Sequence, residues 1–364
     1  IAIIGLGNIG SYLFKYLKRN KKIISKKNNC IPNVIYVSAK NRNRNRGFRI
    51  SNKIWLKNYL DATKNKNVDL IVELIGGAEG PAKKLVFNAL KNKKHVVTAN
   101  KALIAKYGNE LAKIAEKNKV NLEFEASVCG GVPIIRSLKE GLIANKIHKI
   151  YGIFNGTSNY ILSSMDKENK SFSDVLHKAK KLGYAESNPL SDLNGDDVSA
   201  KLKILSSLCF NSFLNNNIHV EGIKDIDKDD ISYAKRLGYK IKLLGYAELI
   251  GKHIFQRVHP TLIKKSSYVA SIDGVLNAVI IDGIPVGQSI IQGEGAGPAA
   301  TTSALISDIS SILRGNIKFP FSISNKERKN LNFKQISERD FSAYFRFNVI
   351  DKPGVLSNIT HIFS

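Results

Sequence analysis

The feature that most constrains the fold is the opening stretch of the chain, which reads IAIIGLGNIG. A short apolar run ends in the spacing G-x-G-x-x-G, and the segment that follows, SYLFKYLKRN, has helical periodicity. In a strand–turn–helix unit, the first glycine permits a tight turn, the second lets the backbone approach a pyrophosphate, and the third lets the helix pack on the strand. Unpaired N–H groups and the dipole at the helix start favour anions, so the motif predicts a dinucleotide site. Its predicted contacts are Gly5, Gly7, Asn8, Ile9 and Gly10.

Strand-like and helix-like segments alternate after this motif. The apolar segments are NVIYVS, VDLIVELIGG, HVVTA and NLEFEAS, and the helical ones include PAKKLVFNALKNK and KALIAKYGNELAKIAEKN. This alternation predicts an α/β protein with a Rossmann-type, doubly wound, mostly parallel sheet. Ligands of such sheets bind at the carboxyl ends of the strands. We therefore expect Ile75, Gly76 and Lys101, which follow strand ends, to lie near the nicotinamide half of the cofactor.

The second strand ends at Ser38, where an NAD-selective site normally has an acidic residue. Lys40, Arg42 and Arg44 follow it instead. A hydroxyl and cations suit the 2′-phosphate of NADP, which a carboxylate would repel. The alternative is an ordinary exposed basic loop. We predict that the cofactor is NADP, with NAD possible, and that Ser38, Lys40 and Arg42 contact it.

The pattern changes after EASVCGGVPII, a segment with two consecutive glycines. KIHKIYGIFNG predicts a strand, TSNYILSSM and FSDVLHKAKKLG predict helices, and residues 219–292 are strand-rich. This predicts an α+β domain with an open, largely antiparallel sheet on which helices pack. The glycine-rich GEGAGPAATTSALISDISSILRG then returns the chain to the nucleotide domain, with Gly295 and Gly297 near the dinucleotide.

These patterns divide the chain into units. We predict a nucleotide-binding domain over 1–130, completed by a return helix over 300–315, and a second domain over 131–299. Residues 316–341 are polar and charged and predict a linker. Residues 342–364 predict a strand, a turn and a helix, which is too little chain to bury a core of its own.

The chemistry is predicted to centre on GYAESNPLSDLNGDDVSAKLKIL, a loop followed by a helix for which Asn194 is the expected N-cap. Asp197 and Lys201 lie four residues apart and project together from this helix. A carboxylate and an amine on a rigid element suit proton transfer and the binding of a zwitterion. The alternative is a surface ion pair contributing about 0.3–0.5 kcal/mol. A core-facing stripe is formed by Val198, Leu202, Leu205 and Cys209.

Composition narrows the function classes further. Lys and Arg outnumber Asp and Glu by 56 to 30, and the net charge of +26 could indicate a nucleic-acid partner. The basic residues are spread along the whole chain, however, so we favour a general compositional bias and expect no nucleic-acid partner. No apolar run approaches the roughly 20 residues that span a bilayer. The three cysteines have no metal-ligand spacing, which favours a reducing compartment, and we expect a cytoplasmic protein without a membrane partner.

Six motifs together resemble one family. IAIIGLGNIG, VVTANKALIA, EASVCGGVPII, GIFNGTSNYIL, GYAESNPLSDLNGDDVSAKL and GEGAGPAATTSALISDI occur in the order found in homoserine dehydrogenase, which the chain resembles over nearly its whole length. DKPGVLSNIT resembles the start of an ACT regulatory domain, here partial. The resemblance implies reversible, nicotinamide-dependent reduction of L-aspartate 4-semialdehyde to L-homoserine, in threonine, isoleucine and methionine biosynthesis. It also implies that the second domain is catalytic and forms a homodimer or homotetramer.

The resemblance also implies roles for individual residues. Lys201 corresponds to the proton donor, Asp197 to the group that positions it, and Lys101 to the lysine between nicotinamide and substrate. A monovalent cation, sodium in the family, would be held mainly by the backbone carbonyls of Glu125, Val128, Gly130 and Val132. The substrate contacts implied are Glu186, Asp192, Asp197, Lys101, Gly156, Thr157 and Tyr184.

Two departures from the family pattern and two alternatives remain. Asn188 stands where many members have Asp, and Pro-Ala-Ala follows Gly297 in place of the more usual Gly-Leu-Pro. One alternative is another NADP-dependent amino-acid or semialdehyde dehydrogenase, for which Cys129 is the candidate nucleophile. The other is a non-catalytic nucleotide-sensing or nucleic-acid-binding protein, for which strongly salt-dependent DNA binding is expected.

Overall fold

The computed structural model describes residues 1–214 and 218–363 of the chain. The strands are β1 Ala2–Ile4, β2 Tyr36–Ser38, β3 Leu70–Glu73, β4 His95–Thr98, β5 Leu122–Glu123, β6 Lys146–Ile153, β7 His219–Val220, β8 Tyr239–Ile250, β9 His253–Lys264, β10 Leu276–Ile284, β11 Gly287–Glu294 and β12 Asn332–Lys334. The helices are α1 Asn8–Arg19, α2 Lys21–Asn28, α3 Asp61–Lys64, α4 Pro81–Lys91, α5 Lys101–Asn118, α6 Ile134–Arg136, α7 Gly156–Glu168, α8 Phe172–Lys181, α9 Leu190–Leu193, α10 Asp196–Cys209, α11 Lys228–Arg236, α12 Pro298–Leu313 and α13 Val355–Ile362. Short 3-10 segments occur at Asn52–Ile54, Glu125–Ser127, Tyr268–Ser271 and Ile336–Glu338, and a π-helical turn at Ser137–Gly141.

The first sheet has the order β2-β1-β3-β4-β5 and is parallel throughout. Helices cover both of its faces, which explains why its strands are continuous apolar runs rather than alternating ones. On one face Leu13 of α1 packs with Leu305 of α12, and on the other Leu85 of α4 packs with Leu111 of α5. The prediction of a doubly wound α/β domain is confirmed.

The glycine turn after β1 shows why two of its glycines are required. Gly5 has φ +107°, and a Cβ there would stand 2.3 Å from the carbonyl oxygen of Leu74. At Gly10 a Cβ would stand 1.9 Å from the carbonyl oxygen of Gly5. Neither position tolerates a side chain without a shift of the backbone, so α1 packs against the end of β1 as the motif predicts.

The second sheet has the order β11-β10-β6-β8-β9-β12, and β7 also pairs with β9. The contacts of β9 with β12 and β7 are parallel, and the others are antiparallel. Helix α10 lies on one face, where Gly245 is so close that a Cβ would meet the ring of Phe154 at 2.6 Å and the Val198 side chain at 3.1 Å. The predicted core-facing stripe of α10, from Val198 to Cys209, is buried.

Helix α12 connects the two parts of the chain. It spans Pro298–Leu313, where the sequence predicts a return helix over 300–315, and its Leu305 and Ile309 pack with Leu13 and Leu17 of α1. The second domain is therefore inserted between the first domain's last strand and this helix.

The predicted N-cap of the central helix is wrong. Asn194 ends the one-turn helix α9, and α10 begins after Gly195, which has φ +87°. The chain passes through the left-handed region between these two helices, and glycine adopts that region without strain. Gly195 is also packed tightly, because a Cβ would lie 3.1 Å from side-chain atoms of both Val220 and Val258.

The polar segment over 316–341 is more than the predicted linker. Its strand β12 pairs with β9, and the Arg328 side chain is buried, donating hydrogen bonds to the Ser207 hydroxyl of α10 at 2.9 Å and the Asn109 side chain of α5 at 2.9 Å. Polar composition predicted a solvated segment, but these residues find partners that are distant in sequence.

The C-terminal segment also differs from its prediction. No strand forms over described residues 342–350, because no neighbouring strand pairs with them, and an unpaired strand leaves its N–H and C=O groups unsatisfied. Helix α13 follows, and Ser364 lies outside the described residues. Among the described residues, no helix is long and apolar enough to cross a membrane.

Candidate active site

The two domains meet at a carboxylate that is shared by two lysines. The Asp197 Oδ1 atom lies 2.8 Å from the Lys101 Nζ atom, and its Oδ2 atom lies 2.8 Å from the Lys201 Nζ atom. The side chains of Asp197 and Lys201 are 5% and 11% exposed, whereas that of Lys101 is 41% exposed. One ammonium group is thus held in the interior, and the other faces the open side of the cluster.

Regular secondary structure positions all three groups. Asp197 lies in the first turn of α10, and Lys201 follows one turn later on the same face. Lys101 is the first residue of α5, whose N-cap Asn100 accepts a hydrogen bond from the Leu103 N–H at 3.1 Å. Groups fixed on helices hold their geometry better than groups on loops.

The electrostatics of the cluster keep both partners charged. Burial alone would raise the pKa of Asp197, but Lys201 and Lys101 hold it well below its ordinary value. Burial alone would lower the pKa of Lys201, but the charge of Asp197 raises it above its ordinary value. Lys201 therefore carries a proton at neutral pH and can donate it to a developing oxyanion.

Two neighbouring polar groups complete the cluster and were missed in the sequence. Lys201 Nζ donates to the Phe154 carbonyl at 2.6 Å, and the same carbonyl accepts from the Asn277 side chain at 3.0 Å. The Asn155 side-chain amide donates to both Asp192, at 2.8 Å, and Asp197, at 2.9 Å. The position of Asn155 two residues before the predicted helix TSNYILSSM was the available signal, but an asparagine there indicates an N-cap rather than a link between acidic groups.

The predicted substrate residues fall in one loop region beside this cluster. The Thr157 hydroxyl donates to the Tyr184 carbonyl at 2.7 Å, which ties the start of α7 to the loop before α9. Asp192 is half-buried in α9, whereas Glu186 is exposed in the same loop. Gly156 has no room for a side chain, because a Cβ would stand 2.7 Å from the Val275 carbonyl oxygen.

The predicted dinucleotide site contains an open cleft at the start of α1. Gly7 is the N-cap of α1, and a Cβ there would meet no heavy atom within 4 Å. The cleft has a volume of about 310 Å³ and is lined by Gly7, Asn8, Ser11, Tyr12, Lys15, Arg44, Asn45, Arg46 and Pro298. Bare backbone, a helix N-terminus and three cations suit the phosphates of a dinucleotide.

The three arginines of the basic loop after β2 have different partners. Arg42 donates to the Asn52 side chain and lies over the Trp55 ring, 5.5 Å from the ring centroid. Arg44 donates to the Asn8 side chain at 3.3 Å, and Arg46 donates to the Leu6 carbonyl at 3.0 Å. Arg44 and Arg46 line the cleft, whereas Arg42 does not, and the predicted contact of Arg42 with the cofactor stays a prediction. The alternating NRNRNR sequence contains no signal that distinguishes them.

The two other residues predicted at this end of the sheet are Ser38 and Lys40. The Ser38 hydroxyl is buried and donates to the Leu56 carbonyl at 3.0 Å, and the Ser38 carbonyl accepts from the Gly5 N–H at 2.8 Å. Lys40 is exposed. Ser38 thus supports the glycine turn.

The loop after β3 is held by a buried carboxylate that the sequence did not single out. Glu73 Oε1 accepts from the N–H groups of Ile75 at 2.7 Å and Gly76 at 3.0 Å, and its Oε2 accepts from the Thr98 hydroxyl at 2.5 Å. The Asn100 side-chain amide donates to the Gly77 carbonyl at 2.7 Å. This network joins the loop after β3, which is predicted to lie near the nicotinamide, to the start of α5, where Lys101 lies.

The loop predicted to bind a cation lies next to the second glycine-rich segment. Both carboxylate oxygens of Glu125 accept backbone N–H groups, from Ile135 at 2.9 Å and Arg136 at 2.6 Å, and burial raises the pKa of Glu125 to about 7. The Val132 carbonyl accepts from the Ile134 N–H at 2.7 Å, and Val128 is buried. Among the described residues, no group of three or more His, Cys, Asp and Glu side chains forms a metal site.

The remaining glycines predicted near the cofactor have distinct positions. A Cβ at Gly130 would stand 2.5 Å from the Gly295 carbonyl oxygen, and one at Gly295 would stand 2.2 Å from the Asn277 side chain. Gly297 is the N-cap of α12, with φ +108°. Gly130 and Gly295 therefore permit close packing of two loops beside Lys201, and Gly297 begins the return helix.

The alternative of a catalytic cysteine does not match the chemistry of Cys129. Its side chain is fully buried, and burial raises the pKa of the thiol to about 11. A nucleophilic cysteine needs a depressed pKa and access to substrate. The prediction of an acylating dehydrogenase that uses Cys129 is not supported by this environment.

Comparison with known proteins identifies the family. The homoserine dehydrogenase model matches residues 133–310, and the model for the NAD-binding domain of homoserine dehydrogenase matches residues 5–125. The homoserine dehydrogenase of Neisseria gonorrhoeae is 41% identical over 368 residues, covering 99% of this chain and 84% of the relative. That of Helicobacter pylori is 40% identical over 365 residues, covering 100% and 84%.

A solved structure agrees with the sequence relatives. The crystal structure of a homoserine dehydrogenase from Thiobacillus denitrificans has a TM-score of 0.90 and 37% identity, covering 99% of this chain and 85% of that chain. The S. aureus enzyme at pH 7.5 has a TM-score of 0.75 and 37% identity, covering 85% and 76%. The family models, the identities and the shared fold agree, and the chain belongs to the homoserine dehydrogenase family.

Proposed function

We propose that this chain interconverts L-aspartate 4-semialdehyde and L-homoserine, with Lys201 as the proton donor. The observation that carries the proposal is the buried ion pair of Asp197 with Lys201, in which the lysine is held protonated. The bound nicotinamide supplies the hydride, so the protein must orient the aldehyde and deliver one proton to the forming alkoxide. Asp197 orients Lys201, and Lys101 lies on the open side, where the substrate carboxylate would meet it.

The amino group of the substrate is proposed to bind the acidic loop. Asp192 lies beside Asp197, linked to it through Asn155, and Glu186 is exposed on the same loop. A carboxylate binds an ammonium group by charge-assisted hydrogen bonds. The backbone around Gly156, Thr157 and Tyr184 is proposed to form the wall of this pocket, since the hydrogen bond of Thr157 to Tyr184 brings the two segments together.

NADP is the proposed cofactor. Its pyrophosphate would lie over Gly7 at the start of α1, and its 2′-phosphate would be bound by Arg44, which lines the cleft, with the exposed Lys40 as a further cation of the same loop. Each charge-assisted contact to a phosphate contributes about 1.5–3 kcal/mol, so NADP should be preferred over NAD by roughly tenfold to a thousandfold in kcat/KM.

The cofactor proposal has a matched test. Arg44→Ala should lower the ratio of kcat/KM for NADP over that for NAD by about tenfold, the value of one such contact. Arg42→Ala is the control, because Arg42 is occupied by Asn52 and Trp55. Equal use of NAD and NADP by the wild type would mean that the basic loop plays no part in cofactor choice.

Sodium is proposed to bind the carbonyl groups of Glu125, Val128, Gly130 and Val132. The donor set consists of backbone oxygens with one buried carboxylate nearby, which suits a hard cation rather than a transition metal. The midpoint of thermal unfolding should rise in NaCl relative to an equal ionic strength of N-methylglucamine chloride. Equal midpoints in the two salts would remove the cation from the proposal.

A homodimer or homotetramer is proposed from the edge of the second sheet. Ile284, Val286 and Ile290 of the β10–β11 hairpin and the nearby Tyr268 are exposed apolar side chains. Contiguous exposed apolar residues mark interaction surfaces. Light scattering after size-exclusion chromatography gives the mass directly, and a mass of one chain across the assay concentration range would contradict the proposal.

The activity itself is tested by following NADPH absorbance with L-aspartate 4-semialdehyde, and NADP reduction with L-homoserine. The expected result is turnover in both directions by the wild type and loss of turnover by Lys201→Ala. The variant should still bind NADPH, because Lys201 meets the substrate oxygen and not the phosphates. Wild-type turnover of another aldehyde or amino acid in preference to these substrates would overturn the proposal.

A further inference from the structure

One side-chain amide lies between two of the proposed active-site carboxylates. Asn155 Nδ2 is 2.8 Å from Asp192 Oδ1 and 2.9 Å from Asp197 Oδ2, and the residue is 5% exposed. Its Oδ1 atom accepts from the Ser158 N–H at 2.8 Å and so caps α7. All of the contacts described for this side chain are therefore either to the cap or to the two acidic groups.

The arrangement has an electrostatic consequence. Two carboxylates that each lie within 3 Å of one nitrogen are also close to each other. Their negative charges therefore repel. An amide NH2 group has two protons and no charge of its own. It can donate one hydrogen bond to each carboxylate. The two hydrogen bonds offset the repulsion and set the distance between the carboxylates.

We propose that Asn155 is a positioning residue that holds Asp192 and Asp197 in a fixed relation through its amide. The inference rests on the proposed function, in which Asp192 binds the substrate ammonium and Asp197 orients Lys201. Through this link, one side chain positions both the Asp192 carboxylate, which would bind the amino group, and the Asp197 carboxylate, which orients the proton donor Lys201. Asn155 would thereby help select aldehydes that carry an amino group at the matching distance.

A purely structural role as the N-cap of α7 is the competing explanation. Ser and Asp cap helices about as well as Asn, so both Asn155→Ser and Asn155→Asp keep the acceptor for Ser158. Both lose the two N–H donors, and Asn155→Asp also adds a third carboxylate. Ser171→Ala is the matched control, because Ser171 is the half-buried N-cap of α8 and accepts from the Asp174 N–H at 3.2 Å.

The experiment measures steady-state kinetics for L-homoserine, the NADPH dissociation constant and thermal unfolding for the wild type and these variants. Asn155→Ser should raise KM for L-homoserine by about tenfold to a hundredfold, the value of losing charge-assisted hydrogen bonds, with less than about a twofold change in NADPH affinity. Ser171→Ala should lower the unfolding midpoint and leave both kinetic constants unchanged.

The pH profile provides a readout that a structural role would not move. The charged and titratable groups that face Asp197 are Lys101 from α5, Lys201 from α10, Asp192 from α9 and the Cys129 thiol from the glycine loop. In Asn155→Asp an added negative charge should raise the pKa of Asp197. The acid limb of kcat/KM should then move to higher pH by about one unit.

The outcomes separate the two proposals. Folded Asn155 variants with wild-type KM and a wild-type acid limb would overturn the role of Asn155 while leaving the proposed function intact. A wild type that does not turn over L-homoserine would overturn both.

Discussion

Replacing Asp197 with Asn tests the electrostatic basis of the proposed mechanism. The change keeps the shape of the side chain but removes the negative charge between Lys101 and Lys201, which lie 2.8 Å from its two oxygens. The exposed neighbour Asp196 lies in the same first turn of α10, so Asp196→Asn is the control for charge near the helix N-terminus.

The size of the effect follows from burial. The pair with Lys101 is half-exposed on the lysine side and contributes about 0–1 kcal/mol. The pair with Lys201 is buried, and removing one partner of such a pair costs about 3–5 kcal/mol. Deprotonating an ordinary lysine at pH 7.5 costs about 4 kcal/mol, at 1.36 kcal/mol for each pH unit. Because the two costs are similar, Lys201 in the variant should titrate near neutral pH.

The charge of Asp197 sets the direction of the expected pH shift. In the wild type the pKa of Lys201 lies above its ordinary value, so the stability from its charge is complete below pH 10.5 and is lost only above the folded pKa. In Asp197→Asn the charge that raises the pKa of Lys201 is absent, so the burial of Lys201 lowers its pKa. The alkaline limb of kcat for aldehyde reduction should therefore move down by about 2–4 pH units, the equivalent of 3–5 kcal/mol.

The assay is kcat against pH at saturating NADPH and L-aspartate 4-semialdehyde, with urea unfolding at pH 6 and pH 9 on the same proteins. Asp196→Asn should match the wild type in both measurements. An alkaline limb that stays in place in a folded Asp197→Asn protein would refute the assignment of the titrating proton to Lys201.

Four further predictions follow from individual contacts in the structure. Gly10→Ala should lower the free energy of unfolding by about 1–3 kcal/mol or more, because its Cβ would stand 1.9 Å from the Gly5 carbonyl oxygen. Gly7→Ala, with no atom within 4 Å, should fold normally and weaken NADPH binding in a fluorescence titration; normal binding would place the phosphates elsewhere. Lys201→Ala should lose turnover with a nearly unchanged NADPH dissociation constant, and near-normal kcat would remove it from the mechanism. Arg328→Met should cost more than about 2 kcal/mol in urea unfolding, because it leaves several buried acceptors unsatisfied, whereas a surface arginine would cost almost nothing.

The parts of this protein that could be predicted from the sequence depend on local physics. The glycine spacing after β1 is a steric requirement of one turn, so the nucleotide-binding unit follows from ten residues. The apolar stripe of α10 and the spacing of Asp197 and Lys201 follow from helix geometry. Alternating strand and helix patterns were enough to predict a doubly wound domain followed by an antiparallel one, because each pattern reports which faces of an element are buried.

The parts that only the tertiary structure decided are pairings across large distances in the chain. The resemblance named Lys101 and Asp197, but nothing local in the sequence pairs the start of α5 with the first turn of α10. Asn155 reads as a helix cap, and its link between two carboxylates exists only because α7, α9 and α10 converge on one point. Likewise Arg328 looked like part of a polar linker, yet it is buried among acceptors from two helices.

The physical reason is the same in each case. Steric limits and hydrophobic periodicity act between neighbours in the chain, and they can be seen in a few residues of sequence. A charge or an amide group can be satisfied by any partner that the fold brings within about 3 Å. Arg42, Arg44 and Arg46 are alike in sequence, and only the path of the loop places Arg44 and Arg46 at the cleft and Arg42 away from it.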